Sequence, residues 1–278
     1  MGFETNDFET ILYEVDDAVC TITLNRPEQA NAQSSKLLDE LDAAFDLADA
    51  DDDVQVVILA AAGKHFSAGH DLKEILNGTD PWARLRDTPE GKLRHEQVMY
   101  WDRCIKIRDF RKITIAQVQG KCVAAGMMLA TMCDLIVASD DASFSNPVLP
   151  MTGVGVELLV EPWELGPRKA KEFLLTAATM TAAEAERFGM VNKVVPRDEL
   201  PKATRELADR IAIVPAATSQ AIKDTINHTI DLQGQRDAWK YHFMVHQFVS
   251  NTETAANALS KRKTGSIKDV IAEQQGKK

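Results

Sequence analysis

Three short apolar runs constrain this chain more than any other feature: 54–60 (VQVVILA), 113–118 (ITIAQV) and 135–138 (LIVA). They are rich in β-branched residues and show little apolar/polar alternation, the pattern of strands buried on both faces. Gly63 and Gly120 end the first two. Segments of helical period lie between them: one starting near Asp71, one over 90–107 and one over 124–133. Strands alternating with helices predict βαβ units and a largely parallel sheet. Before them, 10–13 and 18–24 read as a hairpin about Asp16-Asp17. A polar turn follows (25–33, NRPEQANAQ), then a helix over 34–48 carrying Leu37, Leu38, Leu41 and Phe45. From Arg168 onward the strand signal fades. Helices are predicted over 168–177, 181–188, 199–213, 216–232, 238–249 and 253–260, with Thr181 and Glu184 spaced as a capping box. The expected organisation is an α/β core over 1–197 and a helical C-terminal region over 198–278.

A chain of 278 residues, 45% hydrophobic and 27% charged, can bury a sizeable core of ordinary globular composition. A net charge of −10 disfavours nucleic acid as a partner. Cys20, Cys104, Cys122 and Cys133 form no CxxC pair, and read as reduced, buried thiols. The amino terminus has no apolar signal core, and no run reaches the ~18 apolar residues of a membrane span. A cytoplasmic protein with no membrane partner is expected. No His/Asp/Glu/Cys spacing suggests a metal site, and no glycine-rich fingerprint suggests NAD or FAD.

Two segments carry candidate chemistry. In 64–74 (KHFSAGHDLKE) a strand ends, Ser67-Ala68-Gly69 make a tight turn and Asp71 opens a helix. In 119–134 (QGKCVAAGMMLATMCD) a strand ends near Gly120 and Ala124-Ala125-Gly126 open another. Small residues at such turns leave backbone N–H groups open to a ligand. Each turn alone fits simple packing equally well. Together they could aim two donors at one oxygen as an oxyanion hole, contributing roughly 3 kcal/mol per donor to a developing negative charge.

At this point the sequence resembles the crotonase (enoyl-CoA hydratase/isomerase) superfamily. The resemblance rests on four ordered motifs: NRPEQANA (25–32), FSAGHDL (66–72), GKCVAAGMMLATMCDLIVAS (120–139) and FLLTAATMTAAEAERFGMVNKVVP (173–196). It implies a crotonase-like spiral of ββα units with a C-terminal helical trimerisation region, assembled as a homotrimer or a dimer of trimers. It implies an acyl-CoA thioester as substrate, coenzyme A entering as part of that substrate with no permanently bound cofactor. By the same resemblance the thioester oxygen would lie between the N–H groups of His70 and Ala125. The backbone around Ala68, His70, Asp71 and Leu72 would hold the adenine. Arg26, Lys73 and Lys261 or Lys263 would meet phosphates, and Phe248 would line the pocket of a neighbouring subunit.

The chain departs from the family pattern where hydratases carry two glutamates. Those positions are Met128, three residues beyond Ala125, and Val148 in FSNPV. Neither side chain can transfer a proton, a contribution typically worth ~10²–10⁴-fold, so ordinary enoyl-CoA hydration is predicted to be impaired. The following stretch, PMTGVGVELLVEPWELGP (150–167), introduces Glu157, Glu161 and Glu164. Glu157 follows a Gly-Val-Gly-Val turn and reads either as a relocated acid/base group or as a solvent-facing carboxylate. The region between Asp71 and Gly120 is longer than in typical hydratases. Within it, Tyr100 and Trp101 read as core or pocket wall, and His95 and Glu96 as solvated. Met128, Val148 and Trp101 are expected to line the acyl pocket. The His70 ring either titrates or merely packs, and His65 reads as surface. Three functions remain open: an enzyme with relocated acid/base groups, a catalytically silent acyl-CoA binder, and a weak enoyl-CoA hydratase.

Overall fold

A computed structural model describes residues 8–151 and 154–255 of the chain. The hairpin forms as expected: β1 (Ile11–Asp16) pairs antiparallel with β2 (Val19–Leu24) around Asp17, whose positive φ closes the turn. β3 (Val56–Ala61), β4 (Ile113–Val118), β6 (Leu135–Ser139) and β9 (Lys193–Val195) extend this sheet in the order β1-β2-β3-β4-β6-β9, parallel from β2 onward.

All six residues of β3 are buried because the sheet has a core on each side. Val57, Leu59 and Ala61 face one cluster, which includes Phe45 of α1 (Ser35–Ala50). Val56, Ile58 and Ala60 face the other, completed by Leu200, Ala203 and Ala208 of α9 (Leu200–Ala212). Burying each large apolar side chain contributes about 1.5–3 kcal/mol, which explains the absence of alternation in VVILAA. Thus α9, which the sequence reading grouped with the C-terminal region, lies on the sheet.

A second, three-stranded sheet runs β5 (Lys121–Val123), β7 (Ser143–Ser145), β8 (Thr179–Thr181). It arises because the chain repeats a ββα unit. β4 and β6 enter the large sheet, and the strands that follow them, β5 and β7, enter the small one. The expected helix after Asp71 forms as α2 (Leu72–Asn77), α5 (Ala125–Thr131) follows β5, and α6 (Val148–Met151) and α7 (Glu161–Thr176) follow β7. The Thr181–Glu184 capping box opens α8 (Ala182–Phe188) with both reciprocal bonds present.

The expected helix over 90–107 is broken into α3 (Pro89–Glu96), one turn of π-helix (Gln97–Trp101) and α4 (Asp102–Arg108). Two long helices follow α9: α10 (Ala216–Leu232) and α11 (Gln235–Ser250). The last expected helix, 253–260, lies largely outside the described residues, as do Lys261 and Lys263. No described helix is long and apolar enough to cross a membrane.

Candidate active site

The C-terminal ends of the parallel strands β3 and β4 carry the two small-residue segments, and hydrogen bonds zip them together. Phe66 N donates to Gln119 O, Ser67 N to Lys121 O and Val123 N to Ser67 O. Asn31 ties in the polar turn. Fully buried and at positive φ, it accepts from Arg26 N and donates from Nδ2 to Ala62 O and His65 O. Gly69 has no room for a side chain, because a Cβ there would lie 2.9 Å from Val123 O and 3.3 Å from Ala125 N. The loop bearing His70 therefore runs directly against the start of α5.

This packing leaves two donors spare. Gln33 N donates to Gly69 O and Asp71 N to Gln33 O, so the bonds on either side of His70 are spent and its own N–H is not. At α5 the N-cap, Ala124, offers no side-chain cap. Among the described residues no hydrogen bond uses the N–H of His70 or of Ala125. Ala124 holds φ 49° and ψ −113°, outside the regions open to L-residues.

Both segments border a cleft of about 1000 Å³. Ala68, His70, Asp71, Leu72, Lys73, Val148, Glu157 and Arg26 all line it. Arg26 is already engaged: its guanidinium donates to Ala32 O and pairs with Asp71 at 3.0 Å. Lys73 is exposed, and so is Lys121. Lys121 also lines the cleft, though nothing in its position after Gly120 marks it in the sequence.

Two residues expected in the acyl pocket do not line this cleft. Met128 lies one turn into α5, facing the core among Tyr100, Cys104 and Leu129, and Trp101 packs on Phe243 of α11 at 5.2 Å between rings. Phe248 is three-quarters exposed on α11.

The floor of the cleft holds the titratable groups. Glu157 is buried, and its Oε2 lies 3.7 Å from His70 Nε2. The His70 ring stacks on Tyr100 at 3.8 Å and 20°, and His95 meets the same tyrosine edge-on. The π turn sets this geometry, swinging Tyr100 towards His70 and Trp101 towards α11. Glu96 and His95, expected in solvent, are instead buried. The wide turn directs them inward, where Glu96 Oε2 meets His246 Nε2 at 3.1 Å and also accepts from Gln247 Nε2. His65 is half-buried rather than on the surface, its Nδ1 accepting from Lys121 N.

Burial pushes the Glu157 carboxyl up to about 7, against the pull of the His246 charge and with the push of Glu96. Burial also drives the His70 imidazole down to about 3, so that it is neutral at ordinary pH. A carboxyl near 7 beside a neutral imidazole can both give and take a proton under physiological conditions. Glu161 is buried against Asn146 Nδ2 at 2.7 Å, and burial raises Glu164 to about 7 beside a separate hollow near Trp239. Neither lines the cleft.

Among the described residues, a carboxylate oxygen of Glu96, one of Glu157 and a ring nitrogen of His246 lie within 4.8 Å of one another, all three side chains buried. They come from separate elements, so no spacing in the sequence reveals them.

The chain as a whole is similar to known proteins. A family model described as enoyl-CoA hydratase/isomerase matches residues 14–265. EchA13 of Mycobacterium tuberculosis is 47% identical over 256 residues, covering 87% of this chain and 80% of its own. The crystal structure of a probable enoyl-CoA hydratase from Mycobacterium smegmatis superimposes with a TM-score of 0.81 at 50% identity, covering 90% of this chain and 96% of that one. An enoyl-CoA hydratase/isomerase from Xanthobacter autotrophicus gives 0.86 at 31% identity, covering 98% and 99%.

Proposed function

The chain belongs to the enoyl-CoA hydratase/isomerase family, and from that premise we propose that it is an acyl-CoA-processing enzyme whose acid/base group is Glu157, paired with His70. The observation that carries this reading is the placement of a buried carboxyl, raised to about 7, 3.7 Å from a neutral imidazole, with both residues lining the cleft that the two small-residue segments border. The thioester oxygen accepts from His70 N–H and Ala125 N–H, which stabilise the enolate or tetrahedral oxyanion. Glu157 then moves the proton that Met128 and Val148 cannot. Coenzyme A enters as part of the substrate. Its phosphates meet Lys73 and Lys121 at the cleft mouth, because Arg26 is tied to Asp71.

Ordinary hydration of short 2-enoyl thioesters is slow on this reading. The reactions that suit one titrating carboxyl and an oxyanion site are isomerisation, decarboxylation, thioester hydrolysis and carbon–carbon cleavage. Assembly as a homotrimer or a dimer of trimers also belongs to the proposal. It is supported by Ile222 and Ile226, each more than half exposed on α10 beside a hollow of about 440 Å³, and by exposed Phe248.

The test is a mass-spectrometric turnover screen of the purified protein against 2-enoyl, 3-enoyl, malonyl-type and 3-oxoacyl thioesters, with binding recorded in parallel. A product formed by the wild type and lost in Glu157→Gln supports the proposal. Tight binding with no product from any member makes the protein a silent acyl-CoA binder. Rapid hydration of crotonyl-CoA that survives Glu157→Gln sinks the assignment of Glu157.

A further inference from the structure

The C-terminal helix α11 reaches the cleft beside Glu157, and its His246 lines the same cleft. His246 of α11 has Nδ1 3.1 Å from Gly155 O and Nε2 3.1 Å from Glu96 Oε2. A carbonyl oxygen and a carboxylate only accept, so the ring satisfies both contacts only by donating from both nitrogens, which makes it an imidazolium. Gln247, the next residue on α11, donates to the same Glu96 oxygen. Glu157 completes the cluster, and its Oε2 has no hydrogen-bond partner among the described residues.

We propose that His246 and Glu96 are a positioning pair for Glu157: Glu96 holds the His246 ring in place as an imidazolium, and that charge, beside the cleft carboxyl, sets the carboxyl's ionisation. The inference rests on the acid/base reading of Glu157 given above and adds what sets that group. It ties the chemistry at the cleft floor to α11, an element remote from the motifs at the strand ends.

The groups facing the cluster come from every element packed on it. Lys92 of α3 lies 3.8 Å from Glu96 Oε1, and His70 lies 3.7 Å from Glu157. Tyr100 stacks on His70, and its phenol is held protonated by burial. His95 abuts Tyr100 and is lowered to about 4 by burial and by Arg86. His242 packs 6.3 Å from the His246 ring, its Nε2 2.8 Å from Val156 O, and burial lowers it to about 4. His246 is therefore the one histidine of the group raised above its ordinary value. Burial opposes its charge, and the hydrogen bond to Glu96 together with the charges of Glu157 and Glu96 outweighs burial. Two carboxyls sharing one imidazolium divide accordingly, with Glu96 lowered despite its burial and Glu157 raised.

The experiment is a carbon-13 NMR titration of protein labelled at the glutamate carboxyl carbon, with the Glu157 signal assigned through Glu157→Gln and no substrate required. The wild-type Glu157 midpoint is expected near 7. In His246→Asn, which keeps a polar group but no charge, the midpoint moves up by about one unit or more. In Glu96→Gln the His246 ring, followed by its own proton resonances, titrates at lower pH. His246→Gln serves as the second neutral variant where the first does not fold. An unchanged Glu157 midpoint in either His246 variant, or an unchanged His246 titration in Glu96→Gln, overturns the positioning pair. Full turnover by Glu157→Gln overturns instead the reading on which it rests, and leaves the titrations legible.

Discussion

His70 Nε2 and Glu157 Oε2 face each other across 3.7 Å, and among the described residues neither atom has a hydrogen-bond partner. Two buried polar atoms left unpaired cost about 1–3 kcal/mol each, and such a cost persists most readily where a ligand or a bound water takes up the bonds. The pair opens onto the cleft, so the reacting group of the acyl chain is the natural partner. Replacing Glu157 by Gln keeps the shape and removes the titrating proton. Turnover of whichever thioester proves to be the substrate is expected to fall ~10²–10⁴-fold, with its dissociation constant little changed. Steady-state kinetics beside a binding isotherm separate the two. A parallel loss of binding would mean that Glu157 holds substrate rather than moving protons.

The same substitution has a signature in stability. The Glu157 carboxyl moves from an ordinary value of 4.5 to about 7 on folding. Between those values the folded protein retains a proton that the unfolded chain releases. Stability therefore falls as pH rises from about 4.5 to about 7, and the full cost stands above that. Glu157→Gln lacks this ionisation. Its advantage over the wild type in urea denaturation is expected to be absent near pH 4 and to reach on the order of 1–3 kcal/mol at pH 8. A pH-independent difference would show that the carboxyl titrates near its ordinary value.

The sequence made some of this visible and hid the rest for identifiable reasons. The strand over 113–118 and the helix over 216–232 form where the sequence predicts, because long or mostly apolar runs leave few packing solutions. The small sheet was missed, since β5, β7 and β8 are three residues each, too short for alternation to register. The loops around Ala68 and Ala124 were legible as a pair, since either turn alone fits simple packing equally well and only the two together, within the ordered motifs, point to a site. Glu96 was misread as solvated, because α3 (PEGKLRHE) is mostly polar and a π turn cannot be seen in a sequence. Its partner His246 arrives on α11, and only the folded chain brings the two together. Glu157 stands in a loop without period, where nothing local distinguishes burial from exposure.

Ala124 should be improvable. A non-glycine residue held at φ 49° and ψ −113° carries roughly 1–3 kcal/mol of backbone strain. Glycine relieves that strain and adds back about 0.5–1 kcal/mol of unfolded-state freedom. Ala124→Gly is thus expected to raise stability by about 1 kcal/mol, read as a higher urea midpoint at constant slope. A lower midpoint would mean that the methyl group's packing beside Gly69 outweighs the strain. Gly69→Ala is the opposing control: its Cβ would sit 2.9 Å from Val123 O at a φ of +86°, and both stability and thioester binding should drop.

The exposed face of α10 gives a test of assembly. Ile222 and Ile226 are four residues apart, on one face of the helix, and each is more than half exposed. An apolar row of this kind beside an open hollow is costly to leave in water. Ile226→Glu places a charge in the middle of it. If the face is an interface, light scattering after size exclusion moves from a multiple of 30.7 kDa to the single-chain mass while circular dichroism stays the same. An unchanged mass would place the interface elsewhere.

The wall behind His70 hangs on one buried ion pair. Asp80 is almost wholly buried, and Arg86 grips both its oxygens, Nη1 standing 2.6 Å from Oδ1. The same guanidinium reaches Ile75 O at 3.4 Å and stands 3.5 Å from His95 Nε2. His95 meets Tyr100, and Tyr100 stacks on His70, so the pair supports the ring that faces Glu157. Removing one partner of a buried pair leaves an uncompensated charge, which typically costs about 3–5 kcal/mol, whereas replacing both by neutral residues of similar volume is often close to neutral. Arg86→Ala is therefore expected to lose several kcal/mol, and Arg86→Met combined with Asp80→Asn much less. Hydrogen exchange over 75–96 should show faster opening in the single variant, and His70 ring resonances should shift with it. Equal losses in the single and double variants would mean that the guanidinium's contacts to Ile75 and His95, not its charge pairing with Asp80, hold the wall in place.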